Sequence, residues 1–329
     1  MDLRREWRRR VPAGGGRWRG APERRGEVDL SILHFGHIGA AVDFMSEAER
    51  LGYVRFWLGE HHSDWQCNNP LLLGALLAAA SGGIRIGSGG VCLDYQSPLR
   101  IAEDARLIEY MLPGRFDLGV TRGMMLPAEV RDGMLDGRPP ETLRPYDEKL
   151  SELHGLLTGK LSPAHPLAAQ KFLGESGPPL WVLGTSARTA RWAGRHGTGF
   201  CFSLHHAPEQ DAAAIVGEYR RCFVLSPEFE EPEAIAVASM VCGATRAEAL
   251  ARQEEKGFYQ VTVTGSPADC INGLAATADR CGVDEVMILD LMPGHGAELS
   301  EKYRALARLA GLEPPGEAGS PAPRHASVA

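Results

Sequence analysis

Val54-Arg55-Phe56-Trp57-Leu58-Gly59-Glu60-His61-His62, followed shortly by Asn68-Asn69-Pro70, is the stretch from which the fold can be read. Its first five residues form a compact β-prone run, so Glu60, His61 and His62 stand where a strand has just ended. Asn69-Pro70 then opens a helix, with Asn as the N-cap and Pro at the first helical position. Strand, loop and helix make one βα unit. In α/β proteins the loops at the carboxyl ends of strands build active sites, and this loop carries an acid and two imidazoles.

The unit recurs along the chain. Between residues 27 and 312, β-prone runs at 28–34, 54–58, 84–93, 115–120, 180–184, 198–203, 234–242 and 285–290 alternate with helical patterns. Those patterns cover 40–51, 70–80, 99–111, 141–157, 186–195, 208–222, 246–253 and 266–281. Alternation of this kind predicts parallel strands joined by right-handed crossovers, and eight such units predict a closed (β/α)8 TIM barrel over 27–312. The rival is an open doubly wound sheet that binds a dinucleotide. Its glycine fingerprint is missing, because Gly87-Ser88-Gly89-Gly90 lies inside an apolar run and not between a first strand and its helix. Residues 123–178, after strand 4, form an insertion with one helical pattern and two Pro-rich passages, and insertions of this length shape the mouth of a barrel site.

Composition narrows the partners. A net charge of -7 and a pI near 5.9 argue against nucleic acid and against an anionic membrane. No uncharged apolar run approaches the roughly 20 residues that span a bilayer. The 7 cysteines are scattered and never spaced as Cys-x-x-Cys, which fits reduced thiols in a cytoplasmic protein better than a disulfide framework or a zinc site. Residues 1–26 are rich in Arg and Gly and lack the apolar core of a signal peptide. They, and the Pro/Ala-rich 313–329, are predicted to be disordered extensions.

Several residues at strand ends suit particular chemistry. Arg122 follows the fourth strand, and a guanidinium there can grip a phosphate bidentately. Thr185 and Ser186 end a strand and open the helix that contains Thr189. Backbone N–H groups and hydroxyls at a helix start make a ready anion site, although capping by Ser186 is the simpler reading and both can hold together. His61 suits acid–base work because its unperturbed pKa lies near working pH, with Glu60 orienting it or binding polar groups and His62 packing. His205-His206 either reaches the mouth or forms a solvated loop pair. Trp57 and Trp181 lie within strands, where they fill a barrel. A metal reading of His61, His62, Asp64 and Cys67 lacks a second ligand cluster, so no metal is expected.

Taken in order, these blocks resemble the luciferase-like flavin monooxygenases, the family of the bacterial luciferase subunits. Ala48-Glu49-Arg50-Leu51-Gly52-Tyr53 leading to Trp57-Leu58-Gly59-Glu60-His61-His62 carries the resemblance first. Ile84-Arg85-Ile86-Gly87-Ser88-Gly89-Gly90-Val91, Ser97-Pro98-Leu99-Arg100-Ile101-Ala102-Glu103-Asp104, Gly114-Arg115-Phe116-Asp117-Leu118-Gly119-Val120-Thr121-Arg122-Gly123 and Pro179-Leu180-Trp181-Val182-Leu183-Gly184-Thr185-Ser186 continue it. Gly265-Ser266-Pro267 and Gly282-Val283-Asp284-Glu285-Val286-Met287 close it, so that about residues 28–310 are covered.

The resemblance implies a barrel that uses reduced FMN, supplied by a separate flavin reductase, to form a flavin 4a-hydroperoxide that oxygenates a small organic substrate, a secondary-metabolite intermediate among the candidates. It implies that Arg122, Ser186 and Thr189 hold the flavin phosphate, with Thr185 standing where Glu is common. It places Gly89-Gly90 where relatives have a non-proline cis peptide beneath the flavin ring; a β-bulge is the alternative. It makes His61 the first histidine of the family's Glu-His-His. A homodimer through the apolar 70–80 helix is also implied. A sister group uses a deazaflavin and tends to have Asp where this chain has Glu60, so Glu60 points to FMN. A deazaflavin-dependent dehydrogenase or reductase, or a non-catalytic flavin-binding relative, is the alternative. Many relatives carry a long covering segment between the positions of Arg246-Ala247-Glu248-Ala249 and Gly265-Ser266-Pro267. That segment is short here, so either 123–178 covers the site or the site is more open.

Overall fold

The computed structural model describes residues 28–312, apart from residues 36, 63–65, 124–125, 258–259 and 295 and the side chain of residue 140. The extensions expected at 1–26 and 313–329 lie outside the described residues. Eight strands occupy the predicted runs: β1 (Asp29–His34), β2 (Arg55–Leu58), β3 (Arg85–Ser88), β4 (Phe116–Thr121), β5 (Leu180–Gly184), β6 (Gly199–Ser203), β7 (Ala234–Cys242) and β8 (Glu285–Asp290). Each pairs in parallel with its sequence neighbours. Strand β8 pairs with β7 and also with β1, with Val286 opposite both Ala236 and Leu30, so the sheet closes on itself. The expected (β/α)8 barrel is the observed fold.

The helices that follow the strands are α1 (Ala41–Arg50), α2 (Pro70–Ala80), α3 (Pro98–Met111), α4 (Tyr146–Thr158), α5 (Ala187–Arg195), α6 (Ala212–Cys222), α7 (Pro267–Cys281) and α8 (Gly296–Leu309). Asn69 caps α2 as expected, its side chain accepting from the Leu72 N–H at 2.9 Å. Besides shifts of a few residues at helix ends, such as the helix read at 208–222 that begins at Ala212, the sequence reading departs from the structure at these places. The run at 84–93 breaks at Gly89-Gly90, and Val91–Cys92 resumes as a short strand against β4. Helix α4 begins at Tyr146 and not at residue 141, because Pro145 holds the N-cap position and prolines lack the N–H that would continue a helix upstream. Helix α8 was not read at all: its buried Leu299, Tyr303, Leu306 and Ala307 are few among charged neighbours. Among the described residues no helix is long and apolar enough to cross a membrane. The insertion after β4 also carries a short helix, Ala128–Met134.

Side chains alternate along each strand between the surrounding helices and the barrel interior. Leu30, Ile32, Phe56, Ile86, Phe116, Leu118, Leu180, Phe200 and Val286 join the core under the helices. The inward set is arranged in layers. At the amino ends lie the buried charges Arg55, Asp117 and Glu285. The middle layer holds Trp57 and Trp181, packed edge to face with ring centres 5.8 Å apart, as their strand positions predicted. Leu33, Leu183, Val237 and Leu289 lie beyond them, towards the carboxyl ends.

Two indoles fit in this lumen only because neighbouring inward positions have no side chain. A methyl group on Gly87 would overlap the Trp57 ring, and one on Gly199 would overlap the Trp181 ring. Gly199→Ala should therefore destabilise the fold by about 1–3 kcal/mol, the range for overpacking a close-packed interior. Denaturant titration reads this directly, and a variant as stable as the parent would show that the lumen can relax.

Candidate active site

A cleft opens at the carboxyl ends of the strands, made of two adjoining cavities. The larger, about 690 Å³, is floored by Leu33, Gly89, Leu183, Val237 and Leu289 and walled by Glu60, His61, His205 and His206. The smaller, about 290 Å³, is lined by Arg122, Tyr146, Thr185, Ser186 and Thr189. Thr121, Leu183, Ser203 and His206 line both, so the two cavities lie side by side. All eight residues expected from the sequence therefore meet at one face of the barrel. Another cavity of about 700 Å³ lies at the opposite end, beside Glu109, Gly114, Lys160 and Pro179, and none of those eight residues line it.

The smaller cavity gathers hydrogen-bond donors. Ser186 is the N-cap of α5: its hydroxyl accepts from the Thr189 N–H at 3.2 Å and meets Thr189 Oγ1 at 3.0 Å. The positive end of the helix thus faces the cleft. Arg122 is exposed, its guanidinium lies 4.9 Å over the Tyr146 ring, and among the described residues it donates no side-chain hydrogen bond. Its donors are free for a ligand. Close backbone approach is enforced at Gly184, where a methyl would come 2.8 Å from Thr189 Cγ2.

The floor of the larger cavity is glycine by necessity. The Gly89-Gly90 peptide is cis, not a β-bulge. A methyl on Gly90 would lie 2.9 Å from the Gly119 carbonyl oxygen, and one on Gly89 would lie 2.8 Å from Leu33 Cδ1.

Glu60 is buried, 3% exposed, and both its oxygens are occupied. The Cys92 N–H donates to Oε2 at 2.8 Å, while the Gln96 amide at 3.3 Å and His62 Nε2 at 2.9 Å meet Oε1. The sequence reading had Glu60 orienting His61 or binding polar groups, with His62 packing. Polar binding is what the structure has, and His62 takes the carboxylate. Residues two apart fall on one side of an extended chain, so Glu60 and His62 face together while His61 turns the other way. The His61 N–H donates to the Cys67 carbonyl at 2.8 Å, and its ring meets Phe35 edge-on at 5.0 Å.

His205 and His206 stand at the mouth, with ring centres 3.9 Å apart. Burial, helped by His206, pushes the His205 imidazole down to about 3. Burial, with His62 adding to it, also lowers His61, and burial alone lowers His206. The cleft thus offers imidazoles that burial keeps neutral, His205 being the one driven furthest down. Asp64, weighed above as a metal ligand, lies outside the described residues.

Gln96, Tyr146 and Lys149 belong to the site or its support, and the sequence reading missed all three. Lys149 left a signal: it falls within the apolar stripe of α4, beside Tyr146, Leu150 and Leu153, where a solvated lysine is out of place.

The chain is similar to known proteins of one family. The family model of the luciferase-like monooxygenases matches residues 18–319. The uncharacterized protein YceB of Bacillus subtilis is 34% identical over 247 residues, 73% of this chain and 72% of that protein. The N-acetyl-S-alkylcysteine monooxygenase of the same organism is 31% identical over 208 residues, 60% of each chain. The crystal structure of apo-MsnO8 superposes with a TM-score of 0.72 at 27% identity, covering 88% of this chain and 100% of that one.

The depressed His205 pKa has a consequence for stability. Below about 6.5 an unfolded histidine takes up a proton, whereas folded His205 refuses one until about 3. The unfolded state then binds more protons, so this residue's contribution lowers stability as pH falls through that window. His205→Gln should lose less stability than the parent between pH 6.5 and 4, and NMR should find His205 still neutral at pH 5. A His205 midpoint near the ordinary histidine value would contradict the burial seen here.

Proposed function

The chain belongs to the luciferase-like monooxygenase family and is an enzyme of the flavin-dependent monooxygenase type, and from that premise we propose that it is the oxygenating component of a two-component system. In this reading it takes reduced FMN from a separate reductase and oxygenates a small organic substrate. The carrying observation is the shape of the cleft. A donor-rich end with Arg122, Ser186 and Thr189 adjoins a larger chamber with an apolar floor, the two sharing Thr121, Leu183, Ser203 and His206. A flavin mononucleotide has the same division, an anionic phosphate joined to a broad planar ring. The residues fit that group: a free guanidinium and a helix N-terminus suit a phosphate dianion, and the bare Gly89-Gly90 floor leaves room for a ring.

Bound reduced FMN would supply the electrons that activate oxygen. The protein's own part is to bind, orient and exclude water. Arg122 and the α5 N-terminus hold the phosphate; Thr185 lines the same end, although the family more often has Glu there. Gly89 and Gly90 form the surface on which the ring rests. His61, neutral and exposed to the chamber, gives or takes a proton at a ring nitrogen. Glu60, with its oxygens already engaged, anchors the Cys92 to Gln96 segment and His62. Its identity as Glu favours FMN over a deazaflavin.

Leu72 and Leu76 on α2 are 62% and 61% exposed. We take this apolar face to be the contact of a homodimer in the cytoplasm, and sedimentation as a monomer at micromolar concentration would refute it.

The functional reading is tested by supplying FMN, a flavin reductase and its reductant, and following oxygen consumption. Coupled consumption is expected. Turnover with a reduced deazaflavin under anaerobic conditions, and none with FMN, would replace the proposal with the hydride-transfer alternative. Arg122→Ala should weaken FMN binding by about 1.5–3 kcal/mol, the range for a hydrogen bond to a charged group, and leave riboflavin binding nearly unchanged. Equal losses for the two flavins would mean that Arg122 touches no phosphate.

A further inference from the structure

Lys149 is a buried lysine, 7% exposed, and among the described residues no carboxylate forms an ion pair with it. Its ammonium donates to three backbone carbonyls of one short segment: Leu93 at 3.0 Å, Asp94 at 2.7 Å and Gln96 at 3.1 Å. A buried ammonium is costly unless its protons are satisfied, and here three carbonyls satisfy three protons. Those carbonyls belong to the turn that follows the cis Gly89-Gly90 peptide.

What this turn presents to the cleft gives the lysine its significance. Cys92 at its start donates its N–H to Glu60, and Gln96 at its end donates its amide to Glu60. Between them, the Asp94 N–H donates to the Arg122 carbonyl at 2.9 Å. Tyr146, one turn from Lys149 on α4, lies under the Arg122 guanidinium. One face of α4 therefore supports both halves of the site, the Glu60–His62 half through the turn and the Arg122 half through the turn and Tyr146.

We propose that Lys149 is the positioning residue of the cleft, the group that fixes the Leu93–Tyr95 turn and through it the relative placement of Glu60 and Arg122. It touches neither flavin nor substrate. Its three donors set where the turn lies, and the turn sets the distance between the two ends of the cleft. The proposal deepens the FMN reading, and only its binding arm rests on that reading.

Lys149→Met keeps the length of the side chain and removes every donor, while Lys149→Arg keeps a buried cation with donors. Amide exchange by mass spectrometry on the full chain reads the turn without any flavin. Exchange across 91–97 should accelerate at least tenfold in Lys149→Met while the strands keep their protection, and Lys149→Arg should recover part of it. In the binding arm, the preference for FMN over riboflavin should shrink roughly tenfold in Lys149→Met, the loss that follows when one charge-assisted contact is displaced. Exchange that stays as in the parent would overturn the proposal. So would protection lost evenly over the whole chain, which would make Lys149 a prop of the fold. If the parent bound no FMN, the FMN reading would fail, and the exchange arm would still decide the role of Lys149.

Discussion

One guanidinium ties the barrel together across its interior. Arg55, 1% exposed, reaches from β2 to Asp117 on β4 at 3.3 Å, to Glu233 just before β7 at 3.3 Å, and to Glu285 on β8. A charge in that position is tolerable only when paired and fully hydrogen-bonded. Burial drives Glu233 up to about 7 against the pull of Arg55. Burial also opposes ionisation of Asp117, but Arg85 and Arg55 together outweigh it and hold that carboxyl low. The arrangement is selective: three carboxylates from three separate strands or strand ends converge on one cation only if the strands stand in this order. Trp181 lies against the same guanidinium, 5.1 Å from ring centre to charge, and donates its indole N–H to Asp117 at 3.1 Å. The charged layer thus seats the indole layer, and the indole layer seats the apolar floor of the cleft.

From that order follows a division between the two ends of the barrel. At the amino ends the interior is closed by ion pairs. At the carboxyl ends Gly89, Gly90, Thr121 and Ser203 leave a hollow. The two adjoining cavities both occupy it, at the end where the packed layers stop.

Much of this was legible from the residues. Parallel strands buried on both faces read as apolar runs, and all eight runs were found because β-branched and aliphatic residues dominate them. That these residues would line one cleft was legible because each stands at a strand end or helix start, on the face where the strands end. Long-range pairing was not. Arg55, Asp117 and Glu285 sat inside recognised strands with nothing in the sequence to say that they meet. Which histidine meets Glu60 depends on the chain staying extended beyond β2, where the sequence reading placed only a loop; His62 takes the carboxylate and His61 lines the chamber. Helix α8 was hidden because four buried side chains suffice to dock it, whereas Lys149 was readable from its place in the apolar stripe of α4 but the carbonyls that it meets were not.

The account's central claim is that one cleft holds a flavin mononucleotide by its phosphate at Arg122 and Ser186, with the ring over Gly89-Gly90. A crystal structure of the protein soaked with FMN tests it most directly. The expected result is phosphate density within hydrogen-bond distance of the Ser186 hydroxyl and the Arg122 guanidinium, with His61 and His205 facing the ring. Flavin seated in the cavity at the amino ends of the strands, or turned with its phosphate away from α5, would contradict the account.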